Sequence, residues 1–177
     1  MDILEGNIIK LRALEPSDID LIYSWENNTS NWLVSNTLTP FSKYILKKYI
    51  SNSYKDIFEA KQLRLMIDLK TESYKTVGTI DLFDYDPFHQ RAGVGILIAE
   101  NNDRHKGFAD EALKILINYA FNTLNIHQLY CNITKNNAIS IKLFTNSGFN
   151  IVGEKKDWIR TNDGWIGEYF LQLIKNK

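Results

Sequence analysis

The chain has 177 residues, of which 44% are hydrophobic and 24% charged, and this composition is typical of a globular protein. Its 21 basic and 21 acidic residues cancel without forming blocks of like charge, so we expect no nucleic-acid partner. No apolar run approaches a membrane span, and the single cysteine, Cys131, excludes an internal disulfide framework and predicts a cytoplasmic protein. Three scattered histidines predict no metal site. We expect one domain over residues 1–177.

The first half of the chain predicts two helices and three strands. Ser17 with Asp20 resembles a capping box and starts the first helix, whose apolar residues recur every three positions. Residues 27–40 are polar and predict a loop, and Ser42 caps the second helix. The strands are predicted at residues 8–13, 63–69 and 77–85, with a hairpin turn at residues 72–75.

The second half predicts four further strands and two further helices. The strands are expected at residues 91–100, 128–134, 150–160 and 165–173, and the helices at residues 109–124 and 137–146. Gly148 supplies the left-handed residue that ends the shorter helix, and Asp163-Gly164 predicts a hairpin between the last two strands. The resulting α/β unit has a largely antiparallel sheet.

The loop between the 91–100 strand and the long helix predicts a phosphate site. Gly107 lets the backbone approach a ligand closely, the helix that follows presents unpaired N–H groups, and Arg104 and Lys106 add positive charge. The sequence lacks the G-x-x-x-x-G-K-[ST] pattern of nucleotide hydrolases, and Gly93-Val94-Gly95 lies inside the strand, unlike a dinucleotide fingerprint. A ligand with a pyrophosphate is the expectation; a plain turn into a helix is the alternative.

Two motifs resemble those of the GCN5-related N-acetyltransferases, a family that uses acetyl-CoA. The first, R-x-x-G-x-A, occurs at residues 104–109, and the second is matched by Asn137, Ser140, Ile141, Leu143, Phe144, Gly148 and Phe149. The resemblance implies a single-domain α/β fold with a mixed, mostly antiparallel seven-stranded sheet flanked by about four helices. Segments 11–15, 26–28, 87–91 and the tail from Gly153 are most similar to diamine and spermidine acetyltransferases and to their ribosomal-protein-acetylating relatives.

The resemblance also implies how acetyl-CoA is held. The backbone of Leu97, Ile98 and Ala99 would pair with the pantetheine arm as an added strand. Asn137 and Ser140 would contact the pantetheine or cysteamine end, with Lys142 and Phe144 near the thioester. The pyrophosphate would be bound by backbone N–H groups of Arg104, His105, Lys106, Gly107, Phe108 and Ala109.

Phe144 departs from the family pattern, because many relatives use a tyrosine there as the general acid. Three interpretations follow. Another donor or a water replaces it, with Tyr119, Tyr130 and Cys131 the nearest candidates in the sequence. The enzyme is slow or specialised. Or the domain binds acetyl-CoA without transferring the acetyl group. Gly93 or Gly95 would favour a bulge whose free N–H polarises the thioester carbonyl.

The acceptor is expected to be a primary amine, and a diamine or polyamine is the first candidate. Residues 31–41 contain no carboxylate, whereas polyamine-acetylating relatives carry an acidic loop there. Asp81, Asp84 and Asp86 lie along or just beyond the strand before the acetyl-CoA strand and are the predicted substrate carboxylates, with Trp32 as a pocket residue. The alternatives are an N-terminal or ribosomal-protein acetyltransferase and a non-catalytic acetyl-CoA-binding module. Relatives also make a homo-oligomer an expectation.

Overall fold

One seven-stranded sheet organises the chain, in a computed structural model that describes residues 3–35, 37–53, 55–71 and 75–175. The strand order is β1-β2-β3-β4-β5-β7-β6, and β4 and β5 are the parallel neighbours in an otherwise antiparallel sheet. This confirms the predicted fold class. The strands are β1 Ile9–Ala13, β2 Leu63–Leu69, β3 Thr76–Asp86, β4 Arg91–Ile98, β5 Gln128–Thr134, β6 Asn150–Thr161 and β7 Gly164–Ile174.

Six α-helices lie in the described part of the chain, two more than the sequence predicted. They are α1 Ile19–Glu26, α2 Thr29–Ser35, α3 Lys43–Ser51, α4 Ile57–Ala60, α5 Phe108–Asn122 and α6 Ala138–Asn146. The loop prediction was wrong at α2, whose sequence TSNWLVS has weak helix propensity. A side-chain contact with the end of α1 holds this helix, because Nε1 of Trp32 donates to the carbonyl of Glu26 at 2.9 Å.

Most predicted caps and turns are confirmed. Ser42 Oγ accepts from the N–H of Ile45 at 3.2 Å, Gly148 has φ +93°, and Gly164 follows the hairpin turn with φ +128°. The capping box at Ser17 was wrong, since a short 3-10 turn intervenes and the carboxylate of Asp18 accepts from the N–H of Glu15 at 2.8 Å. Of the turn predicted at residues 72–75, residues 72–74 lie outside the described part of the chain.

The two faces of the sheet carry separate apolar clusters, because side chains alternate along each strand. One face packs on α5 and includes Leu113 and Leu116, together with Phe144 of α6. The other face packs on α1 and α3 through Trp25 and Leu46. The candidate site is lined by residues of both clusters.

Strands β4 and β5 separate after a short parallel ladder. They pair from Arg91 to Gly93 only, whereas β4 remains paired with β3 as far as Ile98. The predicted bulge at Gly93 or Gly95 was wrong, because the register of β4 against β3 is continuous from Gly93 to Ile98. The irregularity lies in β3 between Phe83 and Asp86. A wedge-shaped gap therefore opens in the middle of the sheet.

Candidate acetyl-transfer site

A cavity of about 450 Å³ occupies the gap between β4 and β5. Its lining includes Phe144 and Cys131 from the α5 face and Trp25 and Leu97 from the α1 face, so it passes through the sheet. One ligand can therefore enter from each face. The polar lining residues are Glu26, Asn31, Ser35, Gln62, Arg64, Thr79, Asp81, Asn132, Thr134, Asn137, Ser140 and Glu168.

The α6 side of the cavity combines one buried aromatic ring with two polar side chains. Phe144 is 3% exposed and meets the ring of Phe149 edge-on, with 5.0 Å between the ring centroids. Asn137 is the N-cap of α6, and its Oδ1 accepts from the N–H of Ser140 at 3.1 Å. Burial raises the pKa of Cys131 to about 12, so this thiol holds its proton at neutral pH.

The N-terminus of α5 is open for an anion. Gly107 is its N-cap with φ +84°, and no side chain caps it. Phe108 and Ala109 begin the helix, so their N–H groups have no acceptor within it. The preceding turn is held by the buried carboxylate of Asp103, which binds Lys75 and lies 3.4 Å from Nζ of Lys106.

The backbone N–H and C=O groups of β4 point alternately toward β3 and toward the gap. The N–H of Ala99 donates to the carbonyl of Val77 at 3.0 Å, so this donor belongs to the sheet. Backbone groups of successive residues point to opposite edges of a strand. Ile98 therefore faces the gap, and its carbonyl accepts from Nε of Arg104 at 3.2 Å. The free edge of β4 lies between Val94 and Ile98.

Three charged side chains form a chain of ion pairs on the α1 side of the cavity. Nε of Arg64 donates to Oδ1 of Asp81 at 2.6 Å, and Nη1 donates to Oε1 of Glu26 at 2.7 Å. Burial raises the pKa of Asp81, and the guanidinium opposes that rise. Two carboxylates for one guanidinium leave this cluster with a net negative charge when all three are ionised.

A fourth charged residue, Glu168 of β7, lines the opposite wall. It is 5% exposed, and its carboxylate lies 3.0 Å from Nζ of Lys155, which also donates to Oδ1 of Asn132 at 2.8 Å. Sequence reasoning missed Glu168 and Arg64. The signal was present, because an ionisable residue inside an otherwise apolar strand such as IGEYFLQLI is rarely buried without a role.

The sequence of residues 9–150 matches the family model described as the acetyltransferase (GNAT) domain. This chain belongs to the GNAT family. The prediction of an acetyl-CoA-dependent N-acetyltransferase is confirmed. The acetyltransferase is 28% identical over 150 residues to spermidine N(1)-acetyltransferase of Escherichia coli (strain K12), covering 82% of this chain and 75% of that protein.

Two further likenesses extend over almost the full length of the acetyltransferase. It is 27% identical over 178 residues to the uncharacterized N-acetyltransferase p20 of Bacillus licheniformis, covering 100% of this chain and 98% of that protein. The solved structure of spermidine N-acetyltransferase from Vibrio cholerae, in complex with CoA and spermine, superimposes with a TM-score of 0.84 at 21% identity. That match covers 94% and 95% of the two chains and shows the shared fold.

The predicted substrate carboxylates of the acetyltransferase separate into two groups. Asp81 lines the cavity, whereas Asp84 and Asp86 do not. Asp84 is exposed with φ +49°. Asp86 accepts from the N–H of His89 at 3.0 Å and lies 2.7 Å from its Nδ1, and these two contacts, the backbone one foremost, lower the pKa of Asp86 to about 2. Both lie in the last residues of β3, at its irregularity before the turn to β4.

Trp32, the predicted pocket residue, does not line the cavity. Asn31, Leu33 and Ser35 of the same helix line it instead. Of the three candidates for the missing acid, Cys131 lines the cavity and Tyr119 and Tyr130 do not. Lys142 is exposed and also lies outside the lining.

Among the described residues, no group of three or more His, Cys, Asp or Glu side chains is arranged to hold a metal ion. In that same part of the chain, no helix combines the length and apolar character needed to cross a bilayer.

Proposed function

We propose that this acetyltransferase moves the acetyl group of acetyl-CoA to a primary amine of a diamine or polyamine. One observation carries the proposal: the lining of this cavity holds more carboxylates than the cations that pair with them. Glu26, Asp81 and Glu168 supply three carboxylates, whereas Arg64 and Lys155 supply two cations. A cationic amine gains electrostatic free energy in such a site. The names of the E. coli and V. cholerae relatives support the same substrate class.

For acetyl-CoA we propose entry from the α5 side. The uncapped N-terminus of α5 would bind the pyrophosphate through backbone N–H groups of residues 105–109, helped by the helix dipole. The N–H of Arg104, predicted to join them, instead donates to the carbonyl of Asn101 at 3.1 Å. The free edge of β4, with Ile98 at its end, would pair with the pantetheine arm. The thioester would then lie beside Phe144, with Asn137 and Ser140 on the same wall and Lys142 at the surface.

Proton transfer must then proceed without the family tyrosine. An alkylamine has a pKa of about 10.4, so the acceptor must lose a proton before its lone pair attacks the thioester carbon. When the carbon–sulfur bond breaks, the electron pair leaves with sulfur as a thiolate. The thiol of coenzyme A has a pKa of about 8.5, so its thiolate leaves readily and can take a proton from water. As the amide forms, the attacking nitrogen gives up a further proton, and we assign the transfer of this proton to the departing thiolate to water.

The test is release of the coenzyme A thiol from acetyl-CoA in the presence of different amines. The panel contains spermidine, putrescine, peptides with free N-termini, aminoglycosides and amino sugars, and mass spectrometry checks that the product carries one acetyl group. We expect turnover with spermidine or putrescine. Turnover on peptides beginning with Ser or Ala alone would favour the N-terminal or ribosomal-protein alternative. Tight binding of acetyl-CoA with no turnover on any amine would favour the binding module.

Homo-oligomer formation and a cytoplasmic location stay predictions. Two large apolar side chains of the terminal β6–β7 hairpin support self-association, since Trp158 is 56% exposed and Trp165 is 61% exposed. Light scattering on the purified chain tests it. A monomer at all concentrations would contradict the prediction.

A further inference from the structure

Asn31 is a buried amide that the protein leaves without a partner. The residue is 6% exposed, and its Nδ2 has no hydrogen-bond partner within the described residues. It is the one such side-chain atom found in that part of the chain. Its backbone is engaged normally, because the N–H donates to the carbonyl of Asn28 and the carbonyl accepts from Ser35 Oγ. The unpaired group is therefore the side chain alone.

This vacancy costs stability that the fold does not recover elsewhere. A buried polar group without a partner destabilises a protein by roughly 1–3 kcal/mol, and nearly all buried polar groups are paired for that reason. A leucine at the same position would remove the unpaired group, although its side chain is larger. Asn31 lines the cavity on the same side as Glu26 and Arg64. Rotation of the side chain would let a ligand in that half of the cavity pair with the amide.

We infer that Asn31 hydrogen-bonds the acceptor molecule and helps to set acceptor specificity, an inference that rests on the proposed function. The residues proposed to bind acetyl-CoA lie in or near α5 and α6. Asn31 lies in α2, which packs on the α1 side of the sheet. The carboxylates attract a cationic acceptor by charge. The neutral amide of Asn31 would add a hydrogen bond, whose strength depends on the direction of approach. By rotation of its side chain it presents either an N–H donor or a carbonyl acceptor to the ligand.

The decisive variant is Asn31→Leu, which removes both polar atoms of the amide. Loss of the unpaired amide raises the Tm and the larger side chain lowers it, so the Tm serves to show that the variant is folded. Because the ligand loses its partner, we expect the KM for the acceptor to rise roughly 10-fold, with the dissociation constant of acetyl-CoA unchanged. The matched control is Asn118→Leu on the exposed side of α5, where we expect no change in acceptor KM. A purely structural role for Asn31 would leave the KM for the acceptor unchanged, and that result would overturn the inference.

A second variant, Asn31→Asp, keeps the test valid if the leucine variant does not fold. Aspartate only accepts hydrogen bonds when ionised. A fall in the KM for spermidine would identify an ammonium group as the partner of Asn31, and a rise would identify an unprotonated amine nitrogen that accepts from the amide N–H; both support the contact. An unchanged KM in both variants overturns it while the proposed function stands. If the wild-type chain turns over no amine, the proposed function fails and this inference with it.

Discussion

The ring of Phe83 occupies the space that a side chain on Gly93 would need. A Cβ built on Gly93 would lie 2.2 Å from Cε2 of Phe83, far inside van der Waals contact. Gly93 is the last residue of β4 that pairs with β5, and Phe83 lines the cavity. The absence of a side chain at one position therefore fixes an aromatic wall where the two strands separate.

Gly93→Ala should destabilise the protein, because the ring or the backbone must move to admit the methyl group. Overpacking of this kind costs about 1–3 kcal/mol, which thermal unfolding would detect. Adding Phe83→Leu should recover most of the loss by making room. The control is Gly95→Ala, whose Cβ would meet Phe83 at an ordinary 3.7 Å and should cost less. Equal Tm values for Gly93→Ala and the wild type would contradict the close contact.

Phe144→Tyr should raise kcat by restoring a proton donor beside the departing sulfur. General acid catalysis contributes roughly 10²–10⁴ in rate where it operates, and an unaided thiolate already leaves well, so we expect a gain near or below the lower figure. Phe149→Tyr is the matched control. It is also buried and contacts Phe144, but it does not line the cavity, so it should destabilise the fold without raising kcat. A kcat that Phe144→Tyr leaves unchanged would place the sulfur elsewhere.

Cys131 should make stability fall as the pH rises above 9. Burial raises the thiol's pKa from 9.0 to about 12 in the folded chain. Between these values the unfolded chain has released a proton that the folded chain retains, so the free energy of unfolding decreases with pH, by up to about 1.4 kcal/mol per pH unit. Urea unfolding at pH 8 and 10 would measure this, and Cys131→Ala should reduce the difference. Rapid reaction of a thiol reagent with the native chain at pH 8 would argue against the burial.

Glu111 should hold the N-terminal segment onto the helix that begins at the phosphate loop. Its carboxylate accepts from the N–H groups of Asn7, Ile8 and Ile9, at 2.6, 3.0 and 2.9 Å. Glu111→Gln replaces one accepting oxygen by a donor, and we expect a loss of about 1–3 kcal/mol in unfolding free energy. Asp110→Asn is the control, because its partner Lys114 is exposed. Similar effects of the two variants would contradict this role.

Glu168 should strengthen binding of a cationic acceptor. Glu168→Gln removes one of three cavity carboxylates with little change of volume, so we expect a higher KM for spermidine and an unchanged dissociation constant for acetyl-CoA. Glu154→Gln is matched in chemistry, since Glu154 of β6 pairs with Lys135, just after β5, and neither residue lines the cavity. If both variants leave the KM for spermidine unchanged, the carboxylate of Glu168 does not face the amine.

The sequence by itself determined the strands, four of the six helices, the turn at Gly164 and the two motifs at residues 104–109 and 137–149. These features depend on neighbouring residues, because apolar periodicity and turn chemistry act over a few positions. The family followed from them, since its loop and helix motifs are contiguous in the chain.

Only the tertiary structure decided the acceptor side of the site. Glu26 and Arg64 are 38 residues apart, and their pairing depends on how α1 packs over β2. The helix that carries Asn31 has weak intrinsic propensity and depends on the contact between Trp32 and Glu26. Charge pairing across a sheet follows from register and packing between distant segments, and no local pattern in the sequence encodes it.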